Sequence, residues 1–333
     1  MLSFCYYRSV TWDYTMKNVT FYKFDIEPKK NLRLDQIISS HLPEYSRSTI
    51  KNWINAEKIL VNGKTCSPKD KISIKSEIEV EVHPNEEINI IPEDIALNIL
   101  HEDDDFIIVN KNSGMVTHTA VGNYSGTLQN ALLFKYPELR NVPRAGIIHR
   151  LDKQTSGLLI IARSLQSHNN LTQQIQNKSI TKKYLAITSG ILKNISVIDE
   201  KIGRHKINRK KMAVTFSGKE SVSRLKILRR FDKASLIEVE LVTGRTHQIR
   251  VHLSFTGHPV LGDKLYGFRK SIFSKNTELV KFLDSYNGHA LHAMSLEFKH
   301  PSTKEVFFIK SSPPDKFLEI QSLIEKHSYA DTN

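Results

Sequence analysis

Apolar residues recur along this chain with two different periods, and the change from one to the other outlines its elements. Leu34, Ile37, Ile38 and Leu42 fall at i, i+3, i+4 and i+8, the stripe of an amphipathic helix that Pro43 ends. Ile50, Trp53 and Ile54 make the apolar side of a second helix; Ser46 is placed to cap it, and Arg47, Lys51 and Lys58 lie on its polar side or just after it. Ile59-Leu60-Val61 then runs into Asn62-Gly63, a pair that tolerates positive φ and predicts a two-residue type I′ hairpin. Residues 32–82 therefore read as one small α+β module. Residues 83–95 are punctuated by proline, locally acidic and without a period, which predicts a linker.

From residue 96 onward strands and helices interleave. Phe106 to Val109 and Gly157 to Ala162 are continuous apolar runs that predict buried strands, whereas Ile237, Val239 and Leu241 alternate with Glu238 and Glu240 as a half-solvated strand does. Thr127 to Tyr136 predicts a helix stopped at Pro137, and Leu165, Leu171 and Ile175 suggest another. Buried runs mixed with clean alternation indicate an α+β fold with a mixed or antiparallel sheet flanked by helices, spanning residues 96–326 before a short tail at 327–333. Residues 1–31 are expected to be an N-terminal extension. Its first fifteen residues, before Met16, are expected to be either a dispensable extension or the product of a mis-set start.

Composition adds limits. At 333 residues and 39% hydrophobic the chain can bury a sizeable core, and no apolar run approaches the roughly 20 residues that span a bilayer. The first residues lack a basic region followed by a long apolar stretch, so the cytoplasm is the expected location. Cys5 and Cys66 are the only cysteines and sit in no metal-binding spacing. The net charge is +13. Isoleucine outnumbers alanine 35 to 12, a bias of AT-rich codons that also favours lysine, so part of that charge carries no function. Its distribution says more: residues 201–230 hold eleven Lys and Arg, among them Arg209, Lys210 and Lys211, against the single acid Glu220. A block of this kind is the electrostatic footprint of a phosphate-bearing partner, or else a solvated basic loop.

Two polar clusters are candidates for chemistry. The first, Arg144 to Gly157, reads RAGIIHRLDKQTSG directly before a buried strand, where Asp152 would cap a turn, pair with a cation or react. The second, Thr243 to Leu253, reads TGRTHQIRVHL, and Arg245, His247, Arg250 and His252 within it suit an anionic ligand. His247 and His252 are five apart and so share no helical face as zinc ligands at i and i+4 would. Gly63-Lys64-Thr65 is no phosphate-binding loop, because Lys58 stands where that motif needs glycine.

These motifs also carry a resemblance. HRLDKQTSGLLIIAR at 149–163 and GRTHQIRVHL at 244–253, with VNKNSGMVTH at 109–118 and KKYLAI at 182–187, resemble the RluA family of pseudouridine synthases. LRLDQII and YSRSTIKNWINAEKILVNGK resemble the S4 RNA-binding domain. The resemblance implies a catalytic aspartate at Asp152, a basic partner of that aspartate at Arg245, a tyrosine that stacks on the base at Tyr184, and an arginine at Arg150 that fills the RNA stack when the target uridine is flipped out. It implies phosphate contacts from Arg47, Lys51, Lys58 and Lys64, beside those of Arg209, Lys210 and Lys211. No cofactor and no metal are implied, since breaking N1–C1′ and rejoining C5 to C1′ involves no redox step. Asp152 could attack C1′ or take a proton from C2′, and the resemblance leaves both routes open. Most similar are members acting on large-subunit ribosomal RNA, which implies that RNA or the assembling large subunit as partner, and uridines of the helix 69 hairpin loop as target. Departures from the family pattern at Asn112, Thr119 and Gln154 lie outside the residues assigned to chemistry. The rival reading is a non-catalytic RNA-binding or ribosome-assembly factor, which replacing Asp152 would distinguish.

Overall fold

The computed structural model describes residues 14–330, apart from 17–18, 29–31, 43–44, 46, 83–89, 121 and 209. The expected cap Ser46, Arg209 and most of the expected linker lie outside the described residues. The chain divides into two units, Met1–Asn89 and Ile90–Asn333.

In the first unit two helices cover an antiparallel sheet. The elements run β1 (Tyr14–Met16), β2 (Val19–Ile26), α1 (Leu34–His41), α2 (Arg47–Asn55), β3 (Ile59–Val61), β4 (Lys64–Thr65) and β5 (Ser76–Val82). The sheet order is β1-β2-β5-β3-β4. The hairpin between β3 and β4 turns through Asn62 (φ 51°) and Gly63 (φ 72°), the two positive φ values a type I′ turn needs. Leu34, Ile37, Ile38, Ile50 and Ile54 from the helices pack on Phe24, Ile26, Ile59, Ile78 and Val80 from the strands. Each such side chain contributes about 1.5–3 kcal/mol when fully buried. The expected extension at residues 1–31 needs correction here. β2 pairs with β5 from Thr20↔Val82 to Ile26↔Ser76, so Phe24 and Ile26 belong to this core.

The second unit is built on a mixed sheet. Its elements are β6 (Ile99–Glu102), β7 (Phe106–Lys111), α3 (Leu128–Lys135), β8 (Ser156–Ala162), α4 (Leu165–Gln176), β9 (Thr181–Ser189), β10 (Val197–Asp199), β11 (Ile202–Arg204), β12 (Met212–Val214), β13 (Val222–Arg230), β14 (Ala234–Leu241), α5 (Gln248–Phe255), α6 (Thr277–Ser285), β15 (Leu291–Lys299), β16 (Val306–Lys310) and α7 (Asp315–Ala330). The order is β10-β13-β14-β9-β15-β8-β7-β6, with β16 beside β15 and β11-β12 as a separate ribbon. Among the described strands of this sheet, β8 and β15 are the one pair that runs parallel. Residues 90–95, expected as linker, pack into this unit: the Asn130 side chain donates to the Ile91 carbonyl at 2.7 Å, and Gly126 N–H donates to Glu93 at 3.1 Å.

β8 explains its own continuous apolar run, because both of its faces are covered. Leu159 and Ile161 face the core that holds α3, and Leu158 and Ile160 face the one that holds Leu171 of α4. Its second residue must be glycine. Gly157 has φ +116°, and a Cβ there would lie 2.3 Å from the Ala293 carbonyl oxygen, so only a bare backbone lets β8 meet β15. The strand thereby delivers the polar loop before it to one end of the sheet. Among the described residues no helix is long and apolar enough to cross a membrane.

Candidate active site

Asp152 lies in the loop that enters β8, and its backbone is held from two sides. Its carbonyl accepts from Thr155 N–H at 3.0 Å, and Thr117 Oγ1 donates to the adjacent Leu151 carbonyl at 2.9 Å. Lys111, at the end of β7, is buried, and its Nζ donates to the carbonyls of Asn112 and Met115 at 2.9 Å and of Lys153 at 3.3 Å. Burial pulls this amine down to about 7, opposed by the nearby Asp152 charge. Three carbonyl acceptors, one for each N–H, further favour the ammonium form. Lys111 thus ties the loop after β7 to the loop that carries Asp152. The sequence offered no sign of this, since a lysine at a strand end is ordinarily solvated.

The cation that meets Asp152 is Arg250. Its Nη1 donates to Asp152 Oδ2 at 2.9 Å, while Nε and Nη2 grip Asp263 at 2.6 and 3.0 Å. Arg245, expected as the partner, instead donates from Nε to the Glu220 carbonyl at 3.1 Å. The reason is local. α5 begins only at Gln248, so Arg245 belongs to the loop before the helix, whereas Arg250 sits in its first turn. Side chains of a helix lean toward its N-terminus, which carries the Arg250 guanidinium back to the loop before β8. Burial pushes the Asp152 carboxyl up, but the fields of His247 and Arg250, with the Arg250 hydrogen bond, outweigh it and hold it below the ordinary carboxylate range. Asp152 is therefore ionised at neutral pH. Its Oδ1 accepts no hydrogen bond among the described residues, and His247 Nε2 lies 3.7 Å from it.

Around this carboxylate opens a cleft of about 470 Å³, large enough for a nucleoside, lined among others by Arg150, Tyr184, Arg245 and His247. Tyr184, on β9, is buried in its wall, and burial together with the Asp152 charge pushes its phenol up. The ring is thus a neutral, largely apolar face. Arg150 is exposed at the same cleft. His149 accepts from Ile160 N–H at 3.0 Å, and burial pulls it down to about 3, so it is neutral and holds the loop against β8. Of the four residues assigned to chemistry and base handling, all line one cleft; only the ion-pair partner changes identity.

The expected phosphate contacts fall into two sets, each within its own unit. Lys51 and Lys64 are exposed and Lys58 is half-buried. Arg47 is committed to the buried carboxylate of Asp35, with Nε and Nη2 at 3.0 and 3.2 Å, which leaves its guanidinium partly engaged. In the second unit the basic block is less one-sided than it looks in sequence. Arg224 pairs with Glu240 across β13 and β14, and Arg229 pairs with Glu325 of α7. Lys210 is exposed and Lys211 half-buried, in the segment between β11 and β12. Just after β12, Phe216 is 98% exposed, with Lys201 Nζ 5.8 Å from its ring centre.

A fold in which a mixed sheet presents a half-buried, arginine-paired aspartate in a nucleoside-sized cleft has known relatives. The family described as RNA pseudouridylate synthase matches residues 105–255, and the S4 domain matches residues 32–78. With relatives above 40% identity over most of their length, these matches show that the chain belongs to the RNA pseudouridine synthase family and is an enzyme of that class. Within it, the chain is 43% identical over 304 residues to ribosomal large subunit pseudouridine synthase D of Neisseria meningitidis serogroup A, covering 90% of this chain and 81% of that one. It is 41% identical over 296 residues to the Pseudomonas aeruginosa protein of the same name, covering 88% and 92%. Among solved structures it is similar to human RNA pseudouridylate synthase domain containing 1, with a TM-score of 0.53 and 28% identity over 68% of this chain and 87% of that one.

Proposed function

We propose that this chain converts uridines of large-subunit ribosomal RNA to pseudouridine, in the helix 69 hairpin loop, with Asp152 as the catalytic carboxylate. One observation carries the catalytic part: an ionised, mostly buried carboxylate at a nucleoside-sized cleft, with Oδ2 held by Arg250 and Oδ1 left without a hydrogen bond. Attack on C1′ and removal of the C2′ proton both need an oxygen free to bond, and Oδ1 meets that need. In either route the N1–C1′ bond breaks and the detached uracil turns; C5 then joins C1′ as the Asp152–C1′ bond breaks, or as the proton taken from C2′ returns to it, and the C5 proton is released as N1 regains one.

The remaining roles follow from position. Tyr184 offers the face on which uracil turns without leaving. Arg150, exposed at the cleft, is suited to occupy the gap left by the flipped nucleotide. Arg250 keeps Asp152 ionised, whereas Arg245, exposed at the cleft with its Nε on the Glu220 carbonyl, presents the rest of its guanidinium to RNA phosphate. Lys51, Lys58 and Lys64 in the first unit, and Lys210 and Lys211 in the second, supply salt-sensitive grip on an RNA backbone. The substrate assignment rests on the relatives' names and on the S4 domain.

The test is to incubate the purified protein, without metal or added cofactor, with unmodified large-subunit RNA and with assembling subunits, and to map pseudouridine by chemical labelling and primer extension. Stops confined to the helix 69 loop are expected. Stops elsewhere would refute that target, and no stops on either substrate would refute the ribosomal assignment.

A further inference from the structure

His247 stands out because its backbone is costly and its ring is bonded at one end only. It occupies the left-handed region (φ 58°, ψ 18°) at the N-cap of α5, where its side chain caps nothing. What that conformation achieves is to set the imidazole between Asp152 and Tyr266. Nδ1 lies 2.7 Å from the Tyr266 hydroxyl, and Nε2 lies 3.7 Å from Asp152 Oδ1.

The proton positions follow from counting donors. Met212 N–H donates to the Tyr266 hydroxyl oxygen at 2.9 Å. The hydroxyl hydrogen then needs an acceptor, and Nδ1 of His247 is the one within reach among the described residues. With Nδ1 accepting, the proton of a neutral imidazole is on Nε2, facing the carboxylate. The opposite tautomer would leave the phenol hydrogen unpaired and point a lone pair at an anion. Burial and the positive charges of Arg250 and Arg150 push His247 down, against the opposing pull of Asp152 and Asp263, so the ring is neutral at neutral pH.

We propose that His247 is a positioning residue whose tautomer is locked by Tyr266, so that a neutral N–H orients the reactive oxygen Oδ1 of Asp152 without capping it. This rests on the catalytic role of Asp152 given above. At 3.7 Å the donor is outside hydrogen-bond range, so Oδ1 keeps its reactivity while the local dipole favours one orientation of the carboxylate. Met212 opens β12, at the end of the basic segment proposed to meet RNA. Three linked contacts thus run from that ribbon to the carboxylate.

The experiment uses the full chain. Histidines are labelled with ¹⁵N and the tautomer of His247 is read by long-range ¹H–¹⁵N correlation, assigned with His247→Gln. Single-turnover pseudouridine formation at saturating RNA, and RNA affinity, are measured for His247→Leu, His247→Gln and Tyr266→Phe. The expected results are an Nε2–H tautomer, a loss of about tenfold in rate for His247→Leu and a smaller loss for Tyr266→Phe, with RNA affinity unchanged. His247→Gln, which can present an amide N–H near the same place, should recover most of the rate. An Nδ1–H tautomer, or full activity in His247→Leu, would overturn the proposal. Asp152→Asn is run alongside: product from that variant would sink the catalytic reading of Asp152, whereas the tautomer spectrum reports on His247 alone.

Discussion

Replacing Arg250 by methionine should unfold the second unit at a markedly lower temperature, and the structure gives the size of the effect. The guanidinium makes one bond to Asp152 and two to Asp263, and the Asp263 side chain is only 2% exposed. Methionine keeps much of the stem's packing but leaves Asp263 with little beyond a long contact from Tyr266 N–H at 3.3 Å. Stranding one partner of a buried ion pair costs about 3–5 kcal/mol. The guanidinium also stacks 4.8 Å from the Tyr266 ring centre, which adds about 0.5–2 kcal/mol. For a unit of this size 1 kcal/mol is worth about 2–4 °C, so a combined loss near 5 kcal/mol lowers the melting temperature by about 10–20 °C. Both tryptophans, Trp12 and Trp53, precede residue 90. Tryptophan fluorescence therefore reports on the first unit, and far-ultraviolet dichroism, to which the larger unit Ile90–Asn333 contributes most, mainly on the second. The dichroism transition should fall and the fluorescence transition should hold. The double variant Arg250→Met with Asp263→Asn should regain about 1 kcal/mol or more, since the stranded charge is gone. A single variant melting within about 3 °C of the parent, or a double variant no better than the single one, would refute this account of the pair.

Three further outcomes follow from the same geometry. Because the Asp152 carboxyl is held below its ordinary value, its ionisation favours the folded state; that contribution is complete above about pH 4 and is lost as pH falls through the lower folded value. Asp152→Asn should therefore flatten the acid side of the stability curve measured by urea melts, and an unchanged curve would remove the favourable pairing. Neutralising Lys210 and Lys211 should weaken RNA binding and reduce its salt dependence by about two units of slope at most, and an unaltered slope would leave the segment a solvated loop. Gly157→Ala should cost roughly 3 kcal/mol or abolish folding, because its Cβ would lie 2.3 Å from the Ala293 oxygen at a φ of +116°. Near-parent stability there would contradict the close approach of β8 and β15.

How much of this was legible in the sequence depended on the range of the interaction. The helices of the first unit and the Asn62-Gly63 hairpin were readable because period and turn chemistry are local. β2 was not recognised, although Tyr22, Phe24 and Ile26 alternate with Lys23 and Asp25; its partner β5 lies more than fifty residues away, and nothing local announces the pairing. The same limit made the basic block look more extreme than it is. Glu240 and Glu325 neutralise Arg224 and Arg229 only once strands and helix are assembled. At the site, motif resemblance singled out Asp152, Tyr184 and Arg150, but choosing between Arg245 and Arg250 required knowing where α5 starts. Lys111 was illegible for a similar reason, since its three acceptors come from two loops joined only in the fold.

The central claim is that Asp152 performs the chemistry while other residues hold the RNA. It is tested most directly by comparing the parent and Asp152→Asn on one unmodified large-subunit RNA, measuring binding and pseudouridine formation in the same samples. The account predicts RNA affinity within about twofold of the parent and no detectable pseudouridine over many parental turnover times. Pseudouridine formed by the asparagine variant at a rate near the parent's would contradict it.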